Sequence, residues 1–560
     1  MTTTIPPRSA RAWWRDAVTY QIYIRSFADS NGDGKGDVEG IRSRLPYLKR
    51  LGIDAIWITP WYPSPQKDHG YDVADYMNIE PDYGTLDQAK KLIDEAHALG
   101  LKIIVDLVPN HSSDQHKWFQ EALRSAPGSK ARDRYMFRDG KGENGQLPPN
   151  NWQAVFGGPA WHRVTEADGK PGQWYLHLFA VEQPDLNWEN EEVRAHFEDV
   201  LRFWLDRGVD GFRIDVAHGM IKAPGLPDVL DESNATPEML AAQKMPFWDQ
   251  DGVHEIYRNW RKILDSYEGD RMAVAEAWVS PASRIALYLR HDELANSFNF
   301  DFLTSSWKIK DLKRNIDSSL KAIQDVGAPA SWVFNNHDVV RSVDRFALNL
   351  RPGSGETTLD RHGDVKKLDL QLGIRRARAG ALLMLALPGG AYIYQGEELA
   401  LPEVRDIPED RLTDPRWEMS GRTDKGRDGC RVPLPWKSTS ESAFGFSTSS
   451  DVTNESAWLP QPAWWGKYSV EAQEKDPRST LAMYRAALEI RHQEPGLGDG
   501  EMKWLELGED VLAFSRPGNF LCIVNFGKPT KLPAGEILLS SSPVEGGVLP
   551  SDTAVWMRAK

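Results

Sequence analysis

Gly211-Phe-Arg-Ile-Asp215 is an apolar run closed by a carboxylate, with Arg213 two positions before Asp215. Residues two apart on an extended strand share a face, so Arg213 and Asp215 point the same way. The same design recurs at Asp106-Leu-Val-Pro-Asn-His111, at Glu276 within Ala-Val-Ala-Glu-Ala-Trp, and at Asn336-His-Asp338. Each block sets a carboxylate at or just past the end of a strand-like run. An eight-stranded β/α barrel keeps its active site there, built from the loops at the C-terminal ends of its strands. The expected fold is α/β, a (β/α)8 TIM barrel.

Outward from these blocks, strand-like runs fall at 19–24, 55–59, 102–107, 211–215, 272–276, 297–300, 331–334 and 391–394. Helix-period segments separate most of them. Residues 86–99 carry one apolar face and stop at Gly100, and 193–207 do the same before Gly208; glycine is the residue that most readily ends a helix. Strand and helix alternating in this way predict parallel strands with crossover helices. The barrel is expected over 1–107 and 175–493, interrupted by an inserted subdomain at 108–174 and a loop-rich excursion at about 396–470 after the eighth strand. From 494 to 560 short alternating runs predict a small antiparallel β domain.

Composition narrows the partners. Net charge is −14, a poor match for nucleic acid or an anionic membrane. The apolar run 379–394 is broken by Pro388-Gly389-Gly390 and is too short to span a bilayer, so it reads as a buried helix, a turn and a buried strand. The N-terminus has no apolar signal-peptide core. A cytoplasmic protein, monomer or homodimer, is expected. Cys430 and Cys522 lie far apart, in no disulfide or metal-ligand framework. The 22 Trp residues supply flat apolar faces suited to sugar rings, although most are expected to be ordinary packing.

Carboxylates on separate strands, together with Arg213, His111 and His337, suit cleavage of a glycosidic bond. A guanidinium beside Asp215 is expected to favour its ionised form, as a nucleophile requires; a structural ion pair at the barrel mouth is the alternative. Glu276 lies among Ala, Val and Trp278, and apolar surroundings would keep it protonated as a general acid. Asp338 can stabilise a positively charged sugar-like transition state. Asp29, Asn31, Asp33 and Asp37 alternate with glycines as in a calcium loop, without the closing Glu of an EF-hand. One structural Ca²⁺ or Mg²⁺ is expected there, an ion-free acidic turn being the other reading. No organic cofactor is called for.

At these blocks the chain resembles the α-amylase family of glycoside hydrolases, over nearly its whole length. Gln183-Pro-Asp-Leu-Asn187, Asp68-His-Gly-Tyr71 and Gly426-Arg-Asp-Gly-Cys-Arg431 resemble its α-glucosidase and oligo-1,6-glucosidase branch. The resemblance implies a retaining mechanism with Asp215 as nucleophile, Glu276 as acid/base and Asp338 as transition-state stabiliser. It implies that Asp68, Tyr71, His111, Arg213, His337 and Arg431 hold a terminal glucose, that Phe156, Phe179 and Gln183 shape the pocket, and that Lys35 adds a backbone carbonyl to the metal loop. Expected substrates are small α-glucosides, with transglucosylation alongside hydrolysis. Val216 after the nucleophile resembles α-1,6 cleavers, whereas Ala217-His218-Gly219 resembles maltose-type enzymes, so linkage stays open. A catalytically inactive barrel scaffold is the alternative from another class.

Overall fold

A computed structural model describes residues 11–230, 244–348 and 368–560. Eight parallel strands form the central sheet: β1 Val18–Ile22, β2 Ala55–Ile58, β3 Lys102–Leu107, β4 Gly211–Ile214, β5 Met272–Ala275, β6 Asn296–Ser297, β7 Ser331–Val333 and β8 Gly390–Tyr394. The hydrogen-bonded order is β7-β8-β1-β2-β3-β4-β5-β6, so β8 pairs back onto β1 and the sheet curls into a nearly closed barrel. Among the described residues no ladder joins β6 to β7. The sixth strand is shorter than expected: only Asn296–Ser297 pairs, and Phe300 opens a helix, Phe300–Leu303. Asn299 caps that helix through its side chain, which accepts from the Phe302 N–H and ends the extended run.

Crossover helices cover the strands for reasons visible locally. Leu86–Ala98 starts in a capping box, with Thr85 and Gln88 satisfying each other's backbone N–H, and presents Ala89, Leu92, Ile93 and Ala96 to the core. Glu191–Leu205 is capped by Asn190 and buries Val193, Phe197, Val200, Leu201, Trp204 and Leu205. Helix Leu370–Ala386 becomes buried all round from Ala379 onward because the C-terminal sheet covers its outer side; Trp556 donates its indole N–H to the Leu382 carbonyl at 2.9 Å. At the turn into β8, Gly389 has φ +106°, and a side chain there would run into the Ala330 carbonyl.

Between β3 and β4 the chain forms a three-stranded antiparallel sheet in the order Phe137–Arg138, Pro171–Leu176, Trp161–Thr165. Its last strand runs to Leu176, past residue 174. This insert has its own apolar cluster around Trp152, Trp161, Leu176 and Leu178, which Phe247 from the loop after β4 joins. The C-terminal part is a five-stranded antiparallel sheet ordered Lys503–Leu505, Val511–Arg516, Phe520–Asn525, Thr553–Ala559, Gly535–Ser540. Among the described residues no helix is long and apolar enough to cross a membrane. Cys430 and Cys522 are both free and buried.

Candidate active site

Arg213 is the centre of the site. It lies opposite Asp106 in the β3–β4 register, and its side chain enters the barrel beneath the strand ends. Its Nη1 donates to Asp106 Oδ1 at 2.8 Å and to Asp215 Oδ1, and its Nη2 lies 3.1 Å from Glu276 Oε2. The backbones of Asp215 and Glu276 are held in turn: Asp215 N–H donates to Leu107 O at 2.8 Å and Glu276 N–H to Ile214 O at 2.9 Å, continuing the ladder past the strand ends. Immediately after Asp215 the chain turns at Val216 with φ +47°, a left-handed conformation costly for a β-branched residue. That turn aims the Val216 N–H at Glu276 Oε2, 2.9 Å away.

The surroundings of Asp215 and of Glu276 both differ from expectation. One guanidinium faces three carboxyls, so Arg213 does not simply hold Asp215 ionised. Burial lifts the Asp215 carboxyl well above its usual range; Arg213 pulls against this, while Glu276 and Asp106 push further up. Burial likewise carries Asp106 to about 6 against the pull of Arg213. Groups so close titrate together, and for Asp215 and Asp106 burial works against the charged form. Glu276, expected among apolar neighbours, is instead ringed by donors: Arg213 and Val216 N–H on Oε2, and the Trp278 indole N–H 3.2 Å from Oε1.

His337 and Asp338 follow β7. Tyr71 OH donates to Asp106 Oδ2 at 3.1 Å and shares a 2.7 Å hydrogen bond with His337 Nε2, the two rings stacking at 5.4 Å. Gln21 holds the other nitrogen, Nδ1, at 2.6 Å. Burial pushes His337 well below its usual value, so it is neutral. Burial also opposes the charge on Asp338, yet His337, Arg427, Arg431 and Arg213 hold it well below the carboxylate range. With His337 neutral, the arginines carry that effect. Arg427 Nη1 and Arg431 Nη2 each reach Asp338 Oδ1 at 3.0 Å.

Arg427 gathers further carboxylates. Besides Asp338 it binds Asp68 Oδ1 through Nη2 at 2.7 Å and Asp414 Oδ2 through Nε at 2.6 Å, and its guanidinium lies over the Phe156 ring at 5.2 Å. Gln183 Nε2 donates to Asp68 Oδ2 at 3.2 Å and lies 3.1 Å from His111 Nε2. Phe179 packs 5.2 Å from His111 and 5.6 Å from Phe156. Burial lowers His111 to about 4, leaving it neutral. Asp68, Tyr71, His111, Phe156, Phe179, Gln183, Arg213, Asp215, Glu276, His337, Asp338 and Arg431 thus form one connected set.

Sequence reasoning gave no role to Arg427, Asp414, Trp57 or Lys222. Arg427 sits inside the Gly426–Arg431 block and was within reach of a motif reading; nothing in the local sequence links Asp414 to it. Trp57 on β2 donates its indole N–H to Asp106 Oδ2 at 3.1 Å. Lys222, fully buried, pairs with Asp185 at 2.7 Å and Asn110 Oδ1 at 2.9 Å, and so fastens the insert to the loop after β4.

The expected metal loop lies apart from this set, after β1. Asp29, Asn31 and Asp33 each accept the N–H two residues on, at 3.1, 3.0 and 2.8 Å, and these turns coil the segment. Its donors are all hard oxygens, the chemistry Ca²⁺ and Mg²⁺ prefer. Among the described residues no three His, Cys, Asp or Glu side chains converge as a metal cluster, so an ion here would depend on Asn31 and the Lys35 carbonyl as well as the carboxylates.

The family model for the catalytic domain of alpha amylase matches residues 21–500. The chain belongs to the α-amylase family. Among its relatives, a probable alpha-glucosidase of Rhizobium meliloti is 37% identical over 92% of this chain and 89% of its own. An oligo-1,6-glucosidase of Parageobacillus thermoglucosidasius is 35% identical over 86% of this chain and 84% of its own. Among solved structures, the alpha-glucosyl transfer enzyme XgtA superposes with a TM-score of 0.81 at 33% identity, covering 98% of this chain and 100% of its own. In this α-amylase family member the motif carboxylates expected for catalysis are all present around Arg213 and Arg427.

Proposed function

We propose that this protein is an exo-acting, retaining α-glucosidase. It releases terminal non-reducing α-D-glucose from short oligosaccharides such as maltose and passes part of that glucose to acceptor hydroxyls. The observation that carries the reading is the ion-pair hub of Arg427: one buried guanidinium joins Asp68, Asp338 and Asp414. We take this hub to close the site at one end, so that it admits a chain terminus and not a chain interior. Relatives named alpha-glucosidase and oligo-1,6-glucosidase support the same substrate class.

The first step runs from the form of this coupled cluster in which the proton sits on Glu276 and Asp215 is ionised: the Asp215 carboxylate attacks the anomeric carbon as Glu276 gives its proton to the glycosidic oxygen, the aglycone leaves as an alcohol and a glucosyl ester remains on Asp215. The Glu276 carboxylate then takes a proton from water, whose oxygen attacks the same carbon and frees Asp215. An acceptor hydroxyl in place of water gives transfer. Asp338 stabilises the positive charge of both transition states. Neutral His111 and His337, with Asp68, Tyr71, Gln183, Arg213 and Arg431, hold the glucose, and Phe156 and Phe179 wall the pocket. The two leading carboxylates sit on the two terminal nitrogens of one guanidinium, which suits the closely spaced pair, about 5–5.5 Å, of a retaining enzyme.

Asp29, Asn31, Asp33, Asp37 and the Lys35 carbonyl would hold one structural Ca²⁺ or Mg²⁺ that tightens the first loop without joining the chemistry. We place the protein in the cytoplasm, as a monomer or homodimer. Val216 in its left-handed turn beside Asp215 keeps an oligo-1,6-glucosidase as the second reading. Initial rates on maltose, isomaltose, sucrose and maltotriose separate the two linkages. Proton NMR of the first-formed sugar tests retention: α-glucose is expected, and β-glucose removes Asp215 as nucleophile. No turnover of a chromogenic α-glucoside would leave the scaffold reading.

A further inference from the structure

His69 stands in the Asp68-His-Gly-Tyr71 block between two residues of the site, with no role in the chemistry so far. Asp72 coils this loop: its carboxylate accepts the backbone N–H of Lys67 at 2.9 Å and of Asp68 at 3.0 Å, and the Ser64 hydroxyl at 2.9 Å. The chain then turns at His69 with φ +50° and at Gly70 with φ +102°. A left-handed backbone is uncommon for a residue other than glycine. Here it goes with a buried ring, since His69 is only 4% exposed.

His69 Nδ1 lies 2.8 Å from Arg431 Nη1. A guanidinium has only donors, so Nδ1 must accept and the ring proton belongs on Nε2. Burial, with Arg431 beside it, holds His69 well below its usual value and keeps it neutral. Nε2 has no hydrogen-bond partner among the described residues, and the ring meets Trp458 edge-to-face at 5.5 Å. An apolar side chain would pack against that indole without leaving a buried polar atom unpaired. What the imidazole adds is the acceptor for Arg431.

Arg431 is fully buried, and each of its three nitrogens has a partner: Nε donates to His337 O at 2.8 Å, Nη2 to Asp338 Oδ1 at 3.0 Å, and Nη1 to His69. Three partners spread round a planar fork fix both its position and its tilt. Arg427 reaches the same oxygen of Asp338, so a loosened Arg431 weakens the setting of that carboxylate without freeing it.

We propose that His69 is a positioning residue: by accepting from Arg431 it keeps Nη2 on Asp338, and so sets the carboxylate that stabilises the transition state. This rests on the role given to Asp338 in the α-glucosidase reading and adds to it a residue that acts only through Arg431.

The test compares His69→Phe, which keeps a flat ring against Trp458 but has no acceptor, with His69→Asn, whose side-chain oxygen can stand in for Nδ1. On maltose and on an aryl α-glucoside alike, His69→Phe should lower kcat and kcat/KM together by about tenfold, with KM moving less than about threefold, the pattern of an interaction that counts in the transition state. His69→Asn should recover most of kcat. Thermal melting confirms that both are folded, and His69→Leu takes the place of the phenylalanine variant if the larger ring does not fold. A folded variant without the acceptor that keeps wild-type kcat would overturn the proposal. So would a folded His69→Asn as slow as His69→Phe, or a raised KM at constant kcat, because His69 would then serve packing or ground-state binding alone. Wild-type turnover in Asp338→Asn would instead sink the reading of Asp338 on which the proposal rests, a different result.

Discussion

Arg427 binds Asp68 with Nη2 to Oδ1 at 2.7 Å, although 359 positions separate them in the chain. The pair joins the loop after β2 to the loop after β8. Arg427 also serves Asp338 and Asp414, so a single cation answers three carboxylates, of which Asp68 and Asp414 are buried. Removing it takes this partner from the buried Asp68 and Asp414, the costly direction of change for an interior ion pair, while Asp338 keeps Arg431.

Arg427→Ala should lower kcat/KM on maltose by roughly two to three orders of magnitude, and the melting temperature should fall with it. Arg427→Lys should recover little, because an ammonium cannot reproduce a planar fork shared among three carboxylates. Steady-state kinetics and calorimetry check this. A fully active lysine variant would show that net charge alone matters at this end of the site.

Asp215→Asn should abolish turnover of every substrate, since no ester can form. Glu276→Gln should instead discriminate by leaving group. An aryl α-glucoside of an acidic phenol should still glucosylate the enzyme in a burst, whereas maltose should fail almost completely. Added azide should speed release of the ester and give β-glucosyl azide. Equal losses on both substrates without azide rescue would place the acid/base on another residue.

Exhaustive chelation should lower the melting temperature and leave initial rates nearly unchanged at low temperature, because the loop from Asp29 to Asp37 is proposed to stabilise the first βα connection and not to touch substrate. Differential scanning calorimetry with and without added Ca²⁺ or Mg²⁺ reads the effect directly. A melting temperature indifferent to chelator would mean that the coiled Asx turns hold the loop without an ion.

Glu397 offers a pH signature of stability. Burial raises its carboxyl from 4.5 to about 7, even though the Tyr484 OH and the Tyr394 N–H both donate to it. A carboxyl with a raised native pKa binds more protons folded than unfolded between those values, so stability falls as pH rises through that window. Its contribution is complete below about 4.5 and lost above about 7. Glu397→Gln, uncharged at every pH, should remove this component of the decline, giving a smaller loss of melting temperature between pH 5 and pH 8 than wild type shows. An unchanged slope would mean that Glu397 is ionised in the folded protein.

Sequence alone determined the barrel and which carboxylates stand at the ends of its strands. The runs ending in Asp215, Glu276 and Asp338 announce themselves because burial of a strand, its length and the carboxylate at its end are local properties, written in consecutive residues. Helix stops at Gly100 and Gly208 are local in the same way. Tertiary structure alone decided how charge is shared. No spacing rule links Arg427 to Asp414, or shows that Arg213 must answer Asp106, Asp215 and Glu276 together, because those distances arise only when separate strands and loops meet over one barrel mouth. For the same reason the surroundings of Glu276 were misjudged. Its chain neighbours are apolar, but the groups that reach its carboxyl are polar: the Arg213 guanidinium from β4, the Val216 N–H and the indole N–H of Trp278. Expectation about Asp215 failed on the same physics: an adjacent arginine is a local fact, while burial and two further carboxyls are properties of the fold.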